Sequence, residues 1–533
     1  MKRIEAVRYG EIDPAVEARI DDLMGKMTPE EKIGQLVQVT PGMIPDVEDR
    51  IRAGGIGSIF TIDNLDKITQ LQKLAVEESR LGIPLITGND VIHGFRTIFP
   101  IPLGESCSWD LELIAQTARA AAEESSATGT DWTFAPMVDI GRDPRWGRVA
   151  EGSGEDVYLG SEIGKARVRG FQSDGLASGR RVVACPKHYV AYGAAEGGRE
   201  YNSVDISERS LRDVYLPPFK AAFDEGAGTA MSAFNDLNGV PTSGNVFTLR
   251  TILREEWGWQ GMVVSDFESI KEMIAHGYAA DLKDAGRLGM LAGVDMDMMA
   301  GAYSKYMGAL IREGAVPEGI VDEAVRRVLR LKIQLGLFEK PYADPELVEG
   351  IVLSEEKRAL ALKAAQECMV LLKNEGGLLP LSASDKRVAL IGPLADSRKD
   401  MLGTWSFFGS ADNADTVVEG FGTYQDGVIH VPGCGVKDGD PADIDAAVEI
   451  AKTADVVVLV VGESEDMSGE AHSRTKLGLP GRQQELVDAI VATGKPVALV
   501  LMCGRAMVAT QFTDKVDALL VAWHGGTRAG QAV

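Results

Sequence analysis

The sequence predicts an α/β protein in two parts: a TIM-like (β/α)8 barrel at residues 1–345 and a parallel-rich α/β sandwich domain at 380–533, joined by a helix-bearing linker at 346–379. Three observations lead there. At 533 residues the chain is too long for one ordinary hydrophobic core. Short apolar runs recur between amphipathic stretches at 33–39, 57–60, 84–90, 132–139, 182–189, 229–235, 262–266 and 293–298. Eight such units suit a closed barrel better than a doubly wound sheet. After Lys340 and Pro341 the pattern breaks, and a second set of very apolar strands begins near Arg387.

The barrel runs end in polar residues repeatedly: Asn89 and Asp90, Asp139, Lys187 and His188, Asn235, Asp266, Asp295 and Asp297. In a parallel barrel those ends share one face, the face that holds chemistry. The run 261–266 is the sharpest case, because a glycine-bounded apolar strand delivers a single carboxylate, Asp266, at its end. Between strands, 69–80 places Leu71, Leu74 and Ala75 on one helical face, and 111–122 is alanine-rich. The stretch 317–337 opens on a proline tolerated in a first turn and repeats Ile320, Val321, Ala324, Val325, Val328 and Leu329 at helical spacing. The linker carries a long helical stretch at 354–372. Strands are then expected at 387–392, 454–462, 496–502 and 516–523, with helices at 444–453 and 482–492. The last residues, 524–533, read as a loop opening into a helix, so the second domain is expected to be truncated at its C-terminus and completed by a separate C-terminal segment or in a homo-oligomer.

Charge and composition narrow the function classes. With 55 basic and 79 acidic side chains, the formal charge of −24 disfavours nucleic acid and anionic membranes as partners. Apolar residues make up 45% despite 60 glycines and 22 prolines, the composition of a turn-rich globular protein. Cys107, Cys185, Cys368, Cys434 and Cys503 show neither CxxC nor metal-ligand spacing and read as reduced small residues. The first 20 residues lack an apolar signal core, so the expected location is cytoplasmic as written, or periplasmic or secreted if a leader was removed. No HExxH, phosphate-cradling glycine loop or nucleophile elbow is present, and no metal or cofactor is expected.

Several clusters suit a polyhydroxylated ligand. Residues 141–151 pack Arg142, Arg145 and Arg148 with Asp143, Glu151 and Trp146 directly after the strand ending in Asp139. Sugar hydroxyls need charged or amide partners, while a sugar's C–H face packs on an aromatic plane. Lys187 and His188 together are expensive to bury without a polar ligand. Asp90, followed by His93 and Gly94, could orient hydroxyls or cap a helix. In the second domain, 461–474 is an acidic, glycine-containing loop leaving a buried strand. Retaining glycosidic chemistry at Asp266 would need a second carboxyl roughly 5 Å away, and that loop offers Glu463 and Glu470.

Taken in order, these segments resemble glycoside hydrolase family 3, in particular its bacterial periplasmic-type β-glucosidases. The resemblance rests on Asp90-Val91-Ile92-His93-Gly94, 96–100, 142–148, Lys187-His188-Tyr189, 198–202, 231–241, Val264-Ser265-Asp266, and the second-domain loop through Arg474 to Leu479-Pro480. It implies that Asp266 is the catalytic nucleophile and Glu470 the acid/base, with Glu463 competing for the latter role. It implies substrate binding by Asp90, Arg148, Lys187, His188, Arg199, Tyr201 and Met231. The family's N-acetylglucosaminidase branch carries a Pro-Gly-His-Gly segment that is absent after Tyr189 here.

The expected activity is a retaining, exo-acting β-glucosidase that works on β-glucosides or short β-linked gluco-oligosaccharides. A β-xylosidase or exo-β-glucanase would use the same two acids, and a non-catalytic carbohydrate-binding protein would lack them. In the expected mechanism Asp266 stays ionised, favoured by Arg148, Lys187 and, where it is protonated, His188, while Glu470 holds a proton for the leaving group.

Overall fold

A computed structural model describes residues 4–381, 387–424 and 427–533. The N-terminal domain is a barrel of eight parallel strands: β1 (Val37–Val39), β2 (Ser58–Phe60), β3 (Ile86–Asn89), β4 (Trp132–Thr133), β5 (Val183–Ala184), β6 (Thr229–Ser232), β7 (Met262–Ser265) and β8 (Asp297–Met298). One ladder runs β8-β1-β2-β3-β4-β5 and another joins β6 to β7. The parallel bridges Tyr189 to Ser232 and Val264 to Met296 close the ring.

Each expected apolar run supplies one strand, but the run at 33–39 opens in the helix Pro29–Gln35 and gives only Val37–Val39, and β4, β5 and β8 keep two residues of theirs. Pro136 and Pro186 lack the N–H a ladder needs. Their carbonyls still accept, from Lys187 N at 3.0 Å and Met231 N at 3.2 Å. Irregular backbone therefore begins where Asp139, Lys187 and His188 must turn inward. The barrel is filled, not hollow: fully buried Trp132 donates Nε1–H to Thr229 Oγ1 at 2.8 Å, and Thr229 donates to the Ala184 carbonyl at 2.8 Å. Gly88 is required beside this layer, since a Cβ there would lie 2.6 Å from the Phe134 ring.

The helices Leu111–Ala127 and Val157–Phe171 start where the Asp110 and Asp156 carboxylates accept backbone N–H groups. The helix expected at 69–80 begins earlier, at Leu65, because Asn64 caps it, and continues into a wider turn over Leu74–Glu78. Glu318–Gln334 packs on Pro14–Met24, with Arg330 Nε donating to Glu17 at 2.6 Å.

The second domain is built on a six-stranded sheet of β9 (Val370–Asn374), β10 (Val388–Ile391), β11 (Ile429–Val431), β12 (Val456–Gly462), β13 (Val497–Met502) and β14 (Ala518–Val521), in spatial order β9-β14-β13-β12-β10-β11. All pairings are parallel except that of β9 with β14. This corrects the expected linker. The helix ends at Cys368, and residues 370–372, expected as its last turn, begin the edge strand Val370–Asn374 that pairs with β14. Strand β11 was also not legible, being three residues with a histidine at its centre.

The two domains are fastened by main-chain pairing. Thr527 N donates to the Ile98 carbonyl at 2.8 Å, Ile98 N to Thr527 Oγ1 at 2.9 Å, and Ile101 N to the His524 carbonyl at 3.1 Å. Buried Arg505 of the second domain donates to the carbonyls of Pro144 and Arg145 at 3.0 and 3.1 Å, pinning the arginine-rich barrel loop from above.

Candidate active site

Asp266 leaves the end of β7 with its backbone N–H on the Ser232 carbonyl at 3.2 Å, so the ladder itself aims the side chain. One oxygen, Oδ1, accepts from Phe267 N at 2.7 Å. The other, Oδ2, lies 3.7 Å from His188 Nε2. Fully buried His188 is held from behind by Asp139, whose Oδ2 accepts from the His188 backbone N at 2.8 Å and faces Nδ1 at 2.9 Å. A proton on Nδ1 leaves Nε2 as a lone-pair acceptor facing the nucleophile candidate.

Lys187 Nζ donates to Asp90 at 2.7 Å and lies 5.0 Å from the centre of the Trp405 ring. Arg148 is fully buried and forked onto Glu151 through Nε and Nη2 at 2.8 and 3.0 Å. Its Nη1 points away from that pair, 3.5 Å from Glu470 Oε1. Among the described residues, Asp266 Oδ2, His188 Nε2, Asp139 Oδ1 and Arg148 Nη1 are buried without a hydrogen-bond partner. Buried polar atoms are ordinarily paired. A cluster of such atoms at one barrel mouth is a site for a ligand dense in hydroxyl groups.

Glu470 arrives on the loop that follows β12. Gly469 N donates to the Gly147 carbonyl at 2.7 Å and Arg474 N to the Arg145 carbonyl at 2.9 Å, so both ends of the loop tip are seated on the barrel. Gly147 has no room for a Cβ because the Gly469 carbonyl occupies that space. Glu470 Oε1 accepts from the Tyr201 hydroxyl at 2.7 Å. Glu463 is placed quite differently: it is fully buried at the strand exit, paired with Arg474 and with Arg505 Nε at 2.9 Å, and accepts from Gly504 N at 3.2 Å. It secures the root of the loop, and only Glu470 faces the barrel mouth.

Ionisation departs from the expected pattern. Burial pushes Asp266 up to about 8, against the pull of Arg148 and Lys187 and helped by the nearby Glu470 charge. Burial would raise Glu470 too, but Arg148, the Tyr201 hydroxyl and Lys187 outweigh it and hold the group below the ordinary glutamate value. The two groups are thus pushed in directions opposite to those that a nucleophile and an acid need, and as a close pair they titrate together. His188 does not add a charge to those of Arg148 and Lys187: burial, with both of them beside it, drives its pKa well below the usual histidine value. Burial likewise raises Asp139 to about 7.

Among the remaining sequence candidates, Met231 is buried in β6 opposite Val264 of β7. Tyr201 holds Glu470 instead of standing free for a sugar. Arg199 is not brought to the cluster, since its side chain is 59% exposed and its partner is Glu196. Exposed Arg142 is likewise displaced in favour of buried Arg148. Three residues escaped the sequence reading. In the sequence Asp139 is visible only as a strand end. Glu200 accepts from Trp146 Nε1 and from Tyr192 OH, and Ala471 N reaches it at 3.4 Å, steadying the turn after Glu470. Trp405 comes from the second domain, where an aromatic run between Gly403 and Gly409 was its one visible signal. Among the described residues no group of three or more His, Cys, Asp or Glu side chains is placed to hold a metal ion.

Residues 28–331 match the family described as the glycosyl hydrolase family 3 N terminal domain, and residues 369–533 match the glycosyl hydrolase family 3 C-terminal domain. The chain belongs to glycoside hydrolase family 3. Among its relatives is a periplasmic beta-glucosidase of Salmonella typhimurium, 42% identical over 97% of this chain and 72% of the relative. A beta-xylosidase of Formosa agariphila is 35% identical over 89% of this chain and 70% of its own length. The crystal structure of beta-glucosidase from Listeria innocua in complex with isofagomine superposes with a TM-score of 0.92 at 38% identity, covering 97% of this chain and 73% of that one. The same Listeria enzyme has been solved in complex with glucose. The two matched domains coincide with the barrel, which carries Asp266, and the α/β sandwich, whose loop carries Glu470.

Proposed function

We propose that this chain is a retaining, exo-acting β-glucosidase, with Asp266 as nucleophile and Glu470 as acid/base. The observation that carries the reading is the convergence of Asp266, His188, Lys187 and Arg148 beneath Glu470 of the second domain. The likeness to β-glucosidases at 42% and 38% identity, above the 35% of the xylosidase, supports a glucoside as substrate.

Asp90, Lys187, His188 and Arg148 bind the terminal sugar's hydroxyls, and Trp405 closes over Lys187 and Arg148. Asp266 attacks the anomeric carbon once its proton is gone, while Glu470 protonates the glycosidic oxygen. The reactive state has Asp266 ionised and the proton on Glu470, and because the two carboxyls interact, both acidity constants belong to the pair. After the aglycone leaves, Glu470 deprotonates a water that opens the glycosyl–Asp266 ester, returning the sugar with its β configuration. Hydrolysis of aryl β-glucoside, β-xyloside and N-acetyl-β-glucosaminide, with the product anomer followed by NMR, tests the proposal. The glucoside should be the preferred substrate and give β-glucose first. An α product, or preference for either other glycoside, refutes the assignment.

A further inference from the structure

His93 belongs to the Asp90-Val91-Ile92-His93-Gly94 motif yet stands outside the substrate cluster. Its ring is buried between two carbonyl oxygens: Nδ1 lies 2.8 Å from that of Phe99 in the barrel domain, and Nε2 lies 2.6 Å from that of Thr404 in the second domain. A carbonyl oxygen only accepts, so a neutral ring can donate to one of the two at a time and an imidazolium to both. Burial pushes the ring below the ordinary histidine value, with Arg167 and His524 adding to the fall and the two carbonyl bonds opposing it. The shorter bond is the one that crosses between domains.

Thr404 sits where three parts of the site meet. The next residue, Trp405, has φ +58 and lays its ring over Lys187 and Arg148. The Thr404 side chain fills the space a Cβ of Gly469 would need, and Gly469 directly precedes Glu470. The preceding residue, Gly403, has φ +77, and Ile101 and His524 leave no space for a side chain there. Further along, Arg96 Nη1 holds the Phe408 carbonyl at 2.7 Å. The turn is therefore clamped against the barrel, with His93 gripping its centre.

We propose that His93 is a positioning residue for general-acid catalysis: through the Thr404 carbonyl it seats the Thr404–Trp405 turn against Gly469 and so sets how far Glu470 reaches toward the leaving-group oxygen. This rests on the glucosidase reading of the site. A misplacement of about 1 Å costs on the order of 10²-fold in rate. The loss falls on the step that needs the acid, so it should depend on the leaving group.

The side chains of Gln and Asn separate the two bonds. A Gln amide nitrogen reaches the place of imidazole Nε2, and an Asn amide nitrogen that of Nδ1. His93→Gln keeps the Thr404 bond and His93→Asn keeps the Phe99 bond. Measured as kcat/KM, H93Q should stay within about threefold of wild type on both cellobiose and 2,4-dinitrophenyl β-glucoside, whose leaving group needs no acid. H93N should lose at least about tenfold on cellobiose and under about threefold on the dinitrophenyl glucoside. Equal losses by H93N on both substrates, or a cellobiose loss by H93Q as large as that of H93N, overturn the proposal. Thr404→Gly, which loosens the turn and leaves His93 in place, should repeat the cellobiose-selective loss and decides the matter if H93N does not fold; an unselective loss there overturns it as well. Wild-type protein inactive on both glucosides would refute the glucosidase reading itself, whereas active wild type with unselective variants refutes the role of His93 alone.

Discussion

Asp266 is delivered by a barrel strand, and Glu470 by a loop that the neighbouring domain lays across the barrel mouth. The first is aimed by ladder hydrogen bonds on both sides, its own N–H donating to the Ser232 carbonyl and that of Ser265 before it to the Met296 carbonyl, and sits among fully buried residues. The second depends on a few contacts made at a distance: Gly469 on Gly147, Arg474 on Arg145, Tyr201 on the carboxylate itself. A nucleophile must meet one carbon at one angle, and a rigid strand end provides that. An acid that later serves as base must admit an aglycone and then a water, and a loop at a domain boundary leaves an entrance. The difference also appears in ionisation, where burial lifts Asp266 while exposure to Arg148 and Tyr201 keeps Glu470 low.

The contrast can be broken most severely at the strand. Asp266→Asn should reduce kcat by on the order of 10⁴-fold and abolish the glycosyl-enzyme even with an activated aryl glucoside, as read by mass spectrometry of the trapped protein. Glu470→Ala should slow turnover by about 10²- to 10⁴-fold, yet recover with azide and yield β-glucosyl azide. Absence of rescue would move the acid/base elsewhere. Glu463→Ala tests the root of the loop and not its tip. Leaving Arg505 and Arg474 without their buried carboxylate should cost about 3–5 kcal/mol of stability in denaturant unfolding, and an unchanged midpoint would refute that structural role. The smallest effect is a shift in pH dependence. The Glu470 charge raises the Asp266 pKa, so Glu470→Gln should lower it. With an activated aryl glucoside, whose rate needs ionised Asp266, the acid limb of the kcat/KM profile should move to lower pH by on the order of one unit. A limb that stays or rises would mean that the two carboxyls do not interact.

Much of this was legible in the chain. The eight apolar runs, the polar strand ends and the family-like segments each report a local pattern, and a parallel barrel turns such patterns into one face without further information. What was not legible depended on partners distant in sequence. Arg199 and Arg148 look alike as arginines in loops, but one is exposed beside Glu196 and the other is enclosed by Glu151, Tyr192 and Trp405. The start of the edge strand, residues 370–372, resembled a continuing helix because a short apolar run has no period of its own until β14 offers it hydrogen bonds.

The sequence by itself determined the two-part architecture, the strand that bears Asp266 and the loop that bears Glu470, because periodicity and motif order are properties of neighbours along the chain. Tertiary structure alone decided that Glu463 is an anchor, that Tyr201 serves Glu470, that His188 is neutral behind Asp139, and that Trp405 covers the basic pair. Each of those outcomes turns on burial and on the sign of the nearest charge, which exist only once the two domains have met.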